Sequence, residues 1–200
     1  ELAKGLIITS GKDSFIAGAD IDQLANIQTH EQAFELVENL KSSMRQLEKC
    51  GKPVVAAMTG TALGGGLEVA LGCHYRLAID EPTAKFGLPE VKLGLLPGGG
   101  GTQRLMRLIG MQKSLEMMTQ GQIVSASRAK ELGFIDALAS DKANMLSQAK
   151  AWIKANPNAQ QPWDIKGFKI PGGNANQPKN AQMLSIAPAL AYQKSHGNYP

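Results

Sequence analysis

The stretch Thr61-Ala-Leu-Gly-Gly-Gly-Leu-Glu-Val-Ala-Leu-Gly-Cys73 decides how this chain is read. Three consecutive glycines neither continue a strand nor begin a helix well unless backbone amides must approach something closely or take unusual dihedrals. The apolar run behind them predicts a helix over 66–72, so its first N–H groups have no intrahelical partner and carry the positive end of the helix dipole. Glu68 falls in that first turn. A Glu that merely caps its own helix belongs to a box opened by Ser or Thr three residues earlier, and position 65 is Gly. The preceding Lys52-Pro-Val-Val-Ala-Ala-Met-Thr59 is a short apolar run opened by Pro, a buried strand that delivers the chain to the glycine turn.

Two other segments carry matching chemistry. Phe86-Gly-Leu-Pro-Glu90 offers a second acid; taken alone, Glu90 is an ordinary solvated loop residue after Pro89. Ser14-Phe-Ile-Ala-Gly-Ala-Asp-Ile-Asp22 holds a small-residue turn, Ala17-Gly18-Ala19, just after a first strand at 5–9. By itself that turn is a helix start with Asp20 as its cap; beside a glycine turn and two acids it is a further source of backbone N–H groups. Nucleotide fingerprints fail. GxxxxGK[ST] lacks its Lys, and GxGxxG fails at Val69 for the first glycine run and at Gln103 for the run Gly98 to Gly101.

Other catalytic constellations are absent from the sequence. Cys50 and Cys73 lack CxxC spacing, and His30, His74 and His196 lack paired metal-ligand spacing, which argues against a zinc site. No G-x-S-x-G elbow occurs. Cys73 reads as core packing and His74 as a structural residue at the start of the next strand, since a lone His needs a partner to move protons. With 43% hydrophobic residues the chain can bury a full core, and 22 glycines against 5% aromatics indicate tight turns and small-residue packing. Unpatterned cysteines suit a reducing compartment, no apolar run approaches the roughly 20 residues of a membrane span, and residues 1 to 10 lack the basic and apolar regions of a signal peptide. The net charge of +4 is dispersed rather than gathered in a basic tract, and no nucleic-acid-binding pattern occurs, so nucleic acid is a weak reading.

Strands are predicted at 5–9, 53–59, 74–79, 84–87 and 134–138, and helices at 31–49, 66–72, 101–110, 112–119, 125–132 and 179–195. Phe34, Val37, Leu40, Met44 and Leu47 recur at steps of 3 and 4, giving the long helix one buried face. The class is α/β. From Asn156 the chain is rich in Pro, Gly and Asn, as in Asn156-Pro-Asn-Ala-Gln-Gln-Pro162 and Pro171-Gly-Gly-Asn-Ala-Asn-Gln-Pro178, and reads as extended loops or linker.

Ala17-Gly-Ala-Asp20, Ala62-Leu-Gly-Gly-Gly-Leu-Glu68, Phe86-Gly-Leu-Pro-Glu90 and Leu93-Gly-Leu-Leu-Pro-Gly98 with Gly101-Thr-Gln-Arg104 together resemble, in order and spacing over residues 5 to 138, the enoyl-CoA hydratase/isomerase (crotonase) superfamily. Gly64 to Ala78 looks most like the hydratase domain of multifunctional fatty-acid oxidation enzymes. The resemblance implies a crotonase-like spiral of ββα turns with a helical C-terminal region. It implies Glu68 and Glu90 as the catalytic acids, an oxyanion hole from the N–H groups of Ala19 and Gly65, and an acyl-CoA path along Ala17, Asp20, Ile21 and Gly64. Substrate would be a coenzyme A thioester, with no further cofactor and no metal, and the reaction would be hydration of trans-2-enoyl-CoA, with Δ3,Δ2-enoyl-CoA isomerisation as a second use of the same acids. Another crotonase reaction on acyl-CoA, or a non-catalytic acyl-CoA or RNA-binding module, are the alternatives. On this reading residues 1–155 form a hydratase domain lacking part of its N-terminal strands, and 156–200 are a linker-like segment with a helix leading toward a covalently linked 3-hydroxyacyl-CoA dehydrogenase. Homo-oligomerisation stays open, because related hydratases commonly form trimers while domains of multifunctional chains often do not. The location expected is the bacterial cytoplasm, or the peroxisome in a eukaryote.

Overall fold

The computed structural model describes residues 3–18, 26–194 and 197, so the expected site residues Ala19, Asp20 and Ile21 lie outside the described residues. Four parallel strands, β1 (Leu6–Thr9), β2 (Val54–Met58), β4 (Tyr75–Ile79) and β7 (Ala137–Ala139), form one sheet in the order β1-β2-β4-β7. A second sheet, β3-β5-β6, pairs β3 (Ala62–Leu63) parallel to β5 (Phe86–Gly87) and β5 antiparallel to β6 (Ile123–Val124).

β2 explains why the sequence shows no alternation there. All five of its residues are buried, because alternate side chains enter different cores. Val54, Ala56 and Met58 join Phe86, Leu88, Leu67 and Leu71 on one side, while Val55 and Ala57 join Leu77, Met145, Ala149 and Ile153 on the other. A strand covered on both faces reads as a continuous apolar run. The second cover is α6 (Lys142–Ala155), capped by Asp141, whose carboxylate accepts the Asn144 N–H at 2.8 Å. No helix was expected there; the Asp141 cap was the available signal.

The helices α1 (His30–Glu48), α2 (Gly65–Gly72), α3 (Gly101–Ile109), α4 (Met111–Gln120), α5 (Ala126–Leu132) and α7 (Pro178–Lys194) fall close to their expected positions. α1 opens with a capping box in which the Thr29 hydroxyl accepts the Gln32 N–H and the Gln32 side chain accepts the Thr29 N–H. Its expected buried face is only partly buried: Met44 is enclosed and Val37 and Leu47 are half-buried, but Phe34 is 60% exposed and Leu40 38%. At 19 residues α1 is about 28 Å long, against about 12 Å for the eight-residue α2 it packs on, so its first turns overrun that helix. The strand expected at 134–138 also starts later. Gly133, at φ +99°, ends α5, and the Phe134 and Ile135 N–H groups turn back to the Ala129 carbonyl, which delays strand pairing to Ala137. The short strands β3 and β6 were not foreseen, two residues being too few to show a period.

Among the described residues after Ala155, one side chain is fully buried. Gln161 donates through Nε2 to the carbonyls of Gly72 and Cys73, at 2.9 and 3.0 Å, and so satisfies the C-terminal end of α2.

The glycine turn at the head of α2 is packed unequally. A Cβ on Gly66 would lie 2.1 Å from the Ile16 carbonyl oxygen, whereas one on Gly65 would meet nothing within 4 Å. Gly66→Ala is therefore expected to lower stability by about 1–3 kcal/mol, and Gly65→Ala to leave it within about 0.5 kcal/mol. Urea unfolding of the two variants checks the contrast.

Candidate active site

The β3–α2 turn and the segment leaving β5 are tied together before either acid is placed. Gly64 N–H donates to the Gly87 carbonyl at 3.0 Å, and Ala62 N–H to that of Lys85 at 2.9 Å. Gly64 then takes φ +53°, and a Cβ there would come within 3.2 Å of Glu90 Oε1. Glycine is needed because the Glu90 carboxyl rests on this turn. The Ala17-Gly18 turn arrives on the other side: Leu63 N–H donates to the Ile16 carbonyl at 3.1 Å, and the Gly18 Cα lies 3.8 Å from the position of a Gly64 Cβ. Two of the small-residue turns singled out in the sequence are thus neighbours. Gly65 is the first residue of α2, so its N–H is among those without an intrahelical partner, and the space beside its Cα is open.

Glu68 is 2% exposed. Its Oε1 accepts the Gly101 N–H at 2.7 Å and its Oε2 the Gly99 N–H at 3.0 Å. The glycine run Gly98 to Gly101, which fails every phosphate fingerprint, therefore cradles an anion of the protein's own, at the N-terminus of α3. Cβ atoms on Gly99 and Gly101 would stand 2.8 and 2.9 Å from the Glu68 oxygens. Burial is the dominant influence on Glu68 and pushes its pKa up; the Gly101 and Gly99 N–H groups and the charge of Arg104 push it back.

Glu90 opens a 3-10 turn, Glu90–Leu93. Its Oε2 is buried and has no hydrogen-bond partner among the described residues. Burial, opposed by its own backbone N–H and reinforced by the negative charge of Glu68, pushes its pKa up to about 7. One acid is held as a carboxylate acceptor by two N–H donors, while the other is balanced between its two protonation states near neutral pH. Such a pair can take a proton with one member and give one with the other.

Sequence reasoning missed the supports of this pair. Arg104 of α3 donates through Nε to Glu48 Oε1 at 2.7 Å and through a terminal nitrogen to the Gly99 carbonyl at 2.8 Å, and Glu48 is itself buried. A buried Glu at the end of one amphipathic helix and a buried Arg in another leave no local pattern. His74 is structural as expected: its Nδ1 accepts the Val54 N–H and its Nε2 lies 3.0 Å from the Glu48 carbonyl oxygen, with burial holding its pKa low. Cys73 is buried, its thiol pushed up to about 12 by desolvation. Among the described residues no cluster of His, Cys, Asp or Glu is placed to hold a metal ion, and no helix is long and apolar enough to cross a membrane.

A buried carboxyl, a half-buried one and an open-faced glycine at a helix N-terminus mark a class of acid/base site on carbonyl compounds. Residues 1–164 match the enoyl-CoA hydratase/isomerase family, and the chain belongs to it. It is 42% identical over 198 residues to the fatty acid oxidation complex subunit alpha of Aliivibrio fischeri, covering 98% of this chain and 28% of that protein. The same-named protein of Shewanella loihica is 52% identical over 134 residues, covering 66% of this chain and 19% of the relative. This chain thus spans less than a third of the length of these relatives. Among solved structures, an enoyl-CoA hydratase of Bacillus anthracis superposes with a TM-score of 0.69 at 35% identity, over 76% of this chain and 58% of that one. One from Thermoplasma volcanium gives 0.71 at 31%, over 75% and 59%. The fold is the crotonase-like α/β fold.

The upward-displaced Glu90 has a stability signature. The folded protein holds a proton that the unfolded chain releases at the ordinary carboxyl value of 4.5, so stability falls as pH rises from there through about 7. Glu90→Gln removes that loss. The variant is expected to be more stable than the parent by roughly 1 kcal/mol at pH 8, a figure reduced from that of full burial because solvent screens a half-buried group, with the gap closing toward pH 5. Urea melts between pH 5 and 8 measure it.

Proposed function

We propose that this chain is an enoyl-CoA hydratase of fatty-acid β-oxidation, in which Glu68 activates water and Glu90 supplies the proton to C2 of a trans-2-enoyl thioester. The observation that carries the reading is the unequal treatment of the two acids: buried Glu68 holds two backbone N–H donors, while half-buried Glu90 has one buried, unpartnered oxygen and a pKa near 7. As the oxygen of water attacks C3, Glu68 takes the proton, negative charge builds on the thioester carbonyl oxygen, and Glu90 protonates C2. Transfer of one proton from Glu68 to Glu90 resets the pair. The carbonyl oxygen would rest between the N–H of Gly65 and that of Ala19; a single such donor is worth about 10²–10³ in rate. Ala17, Gly64, Asp20 and Ile21 would follow the coenzyme A moiety, and the exposed Phe34, Leu40, Leu93 and Leu96 suit an acyl chain.

The reaction needs neither metal nor redox cofactor, since only water and protons move. A group that exchanges protons near pH 7 also serves Δ3,Δ2-isomerisation, where a proton leaves C2 or C4 and returns to the other carbon. A pure binding module has no use for two acids whose desolvation makes ionisation costly. A bacterial cytoplasmic enzyme joined in one polypeptide to further activities is in keeping with relatives that are bacterial, named for fatty acid oxidation and more than three times as long as the matched region, a 3-hydroxyacyl-CoA dehydrogenase being the activity that would consume this product.

Glu68→Gln and Glu90→Gln are each expected to cut hydration of crotonyl-CoA by about 10²–10⁴ while acetoacetyl-CoA still binds. Hydration is followed by loss of the conjugated-thioester absorbance and binding by calorimetry. Near-normal turnover in either variant would remove that residue from the mechanism.

A further inference from the structure

We infer that Arg104 is a positioning residue for this chemistry, fixing the Gly99–Gly101 turn so that its two N–H groups stay aimed at the Glu68 carboxylate. The inference rests on the hydratase reading and assigns the regulation of its base to a side chain that does not hydrogen-bond to Glu68. A run of four glycines, 98 to 101, has maximal backbone freedom and does not hold a shape by its own preferences. Arg104 supplies the constraint. Its terminal nitrogen donates to the Gly99 carbonyl at 2.8 Å, on the residue whose N–H reaches Glu68 Oε2 at 3.0 Å. Gly100 between the two donors takes φ +97°, and a Cβ on it would sit 2.3 Å from the same nitrogen, so the guanidinium occupies the space inside the turn.

Arg104 is held in its own place by charge. Nε donates to Glu48 Oε1 at 2.7 Å; the other Glu48 oxygen accepts from Arg45 at 2.8 Å, and Arg45 in turn clasps Asp164. Arg104 and Glu48 are buried, whereas the Arg45 side chain is 40% exposed, so the relay runs inward from the surface to the base. The groups facing Glu68 are Arg104 from α3 and Glu90 from the 3-10 turn, with Glu48 of α1 behind Arg104 and His74 on the Glu48 carbonyl. Arg104 is the cation of that set that lowers the proton affinity of Glu68. Lysine keeps the charge but lacks the planar fork needed to hold Glu48 and the Gly99 carbonyl together.

The test compares Arg104→Gln and Arg104→Lys with the parent protein, using crotonyl-CoA kinetics from pH 5 to 9 and a carbon-13 titration of the Glu68 side-chain carboxyl, assigned by its loss in Glu68→Gln. Arg104→Gln is expected to lose roughly 10- to 100-fold in kcat with KM within about threefold, and both the acid limb of kcat and the Glu68 titration should move to higher pH. Arg104→Lys should lose part of kcat while the acid limb stays nearer the parent's. A folded Arg104→Gln protein with parental kcat and unmoved Glu68 titration overturns the inference. Should Arg104→Gln fail to fold, Arg104→Lys with parental kcat overturns it equally. A parent protein that does not hydrate crotonyl-CoA defeats the functional reading alone, since the carboxyl titration still reports on Arg104 without turnover.

Discussion

Everything at the candidate site depends on one buried carboxylate having found its counter-dipole. Placing Glu68 in the interior costs several kcal/mol unless donors replace the lost water. Two backbone N–H groups at the head of α3 do so, and a guanidinium stands behind them. The glycines at 99 and 101 are dictated by this arrangement, because any side chain there would collide with the carboxylate they hold. So is the packing of α2 on α3: Glu68 projects from the first and is received by the second. The same carboxylate, left negative, helps to keep the proton on Glu90. The burial of each acid raises its proton affinity, and at Glu90 the charge of Glu68 adds to that rise.

Much of this was legible in the sequence, for definable reasons. Gly64 to Gly66 stand in a short segment whose composition departs from what a strand or helix requires, Glu90 gained meaning only beside that motif and the family resemblance, and the structure brings Gly64, Glu68 and Glu90 together. The strand and helix order followed from apolar runs and periodicity. What stayed hidden has a common character. β3 and β6 are two-residue pairings made by tertiary approach, and the Glu48–Arg104 pair links positions 56 residues apart. The α1 face failed for another reason: periodicity shows that a helix has an apolar side but not how much surface lies opposite it. Phe34 and Leu40 keep the correct phase and still meet water.

The glycine run at 98 to 101 shows how a negative result can hold information. It is not a phosphate loop, since Gln103 stands where GxGxxG needs its last glycine and no lysine directly follows the run. The physical property that a phosphate loop exploits, amides converging at a helix N-terminus, is nonetheless in use, with a side-chain carboxylate in place of a phosphate. Sequence reasoning did not foresee the cradle, whose anion comes from 31 and 33 residues away.

The strand pairings also set the order in which such a molecule can assemble. β1 meets β2 at Leu6 and Val54, β4 meets β7 at Leu77 and Ala137, and every strand of the larger sheet runs parallel, so no hairpin is available to begin it. Long loops must close before any of these contacts is rewarded, which makes folding slow and leaves apolar strands bare in the meantime. The Glu68 cradle closes over 31 and 33 residues and needs α2 and α3 already docked. It cannot form ahead of their docking, so the desolvation of the Glu68 carboxylate is tied to the meeting of those two helices.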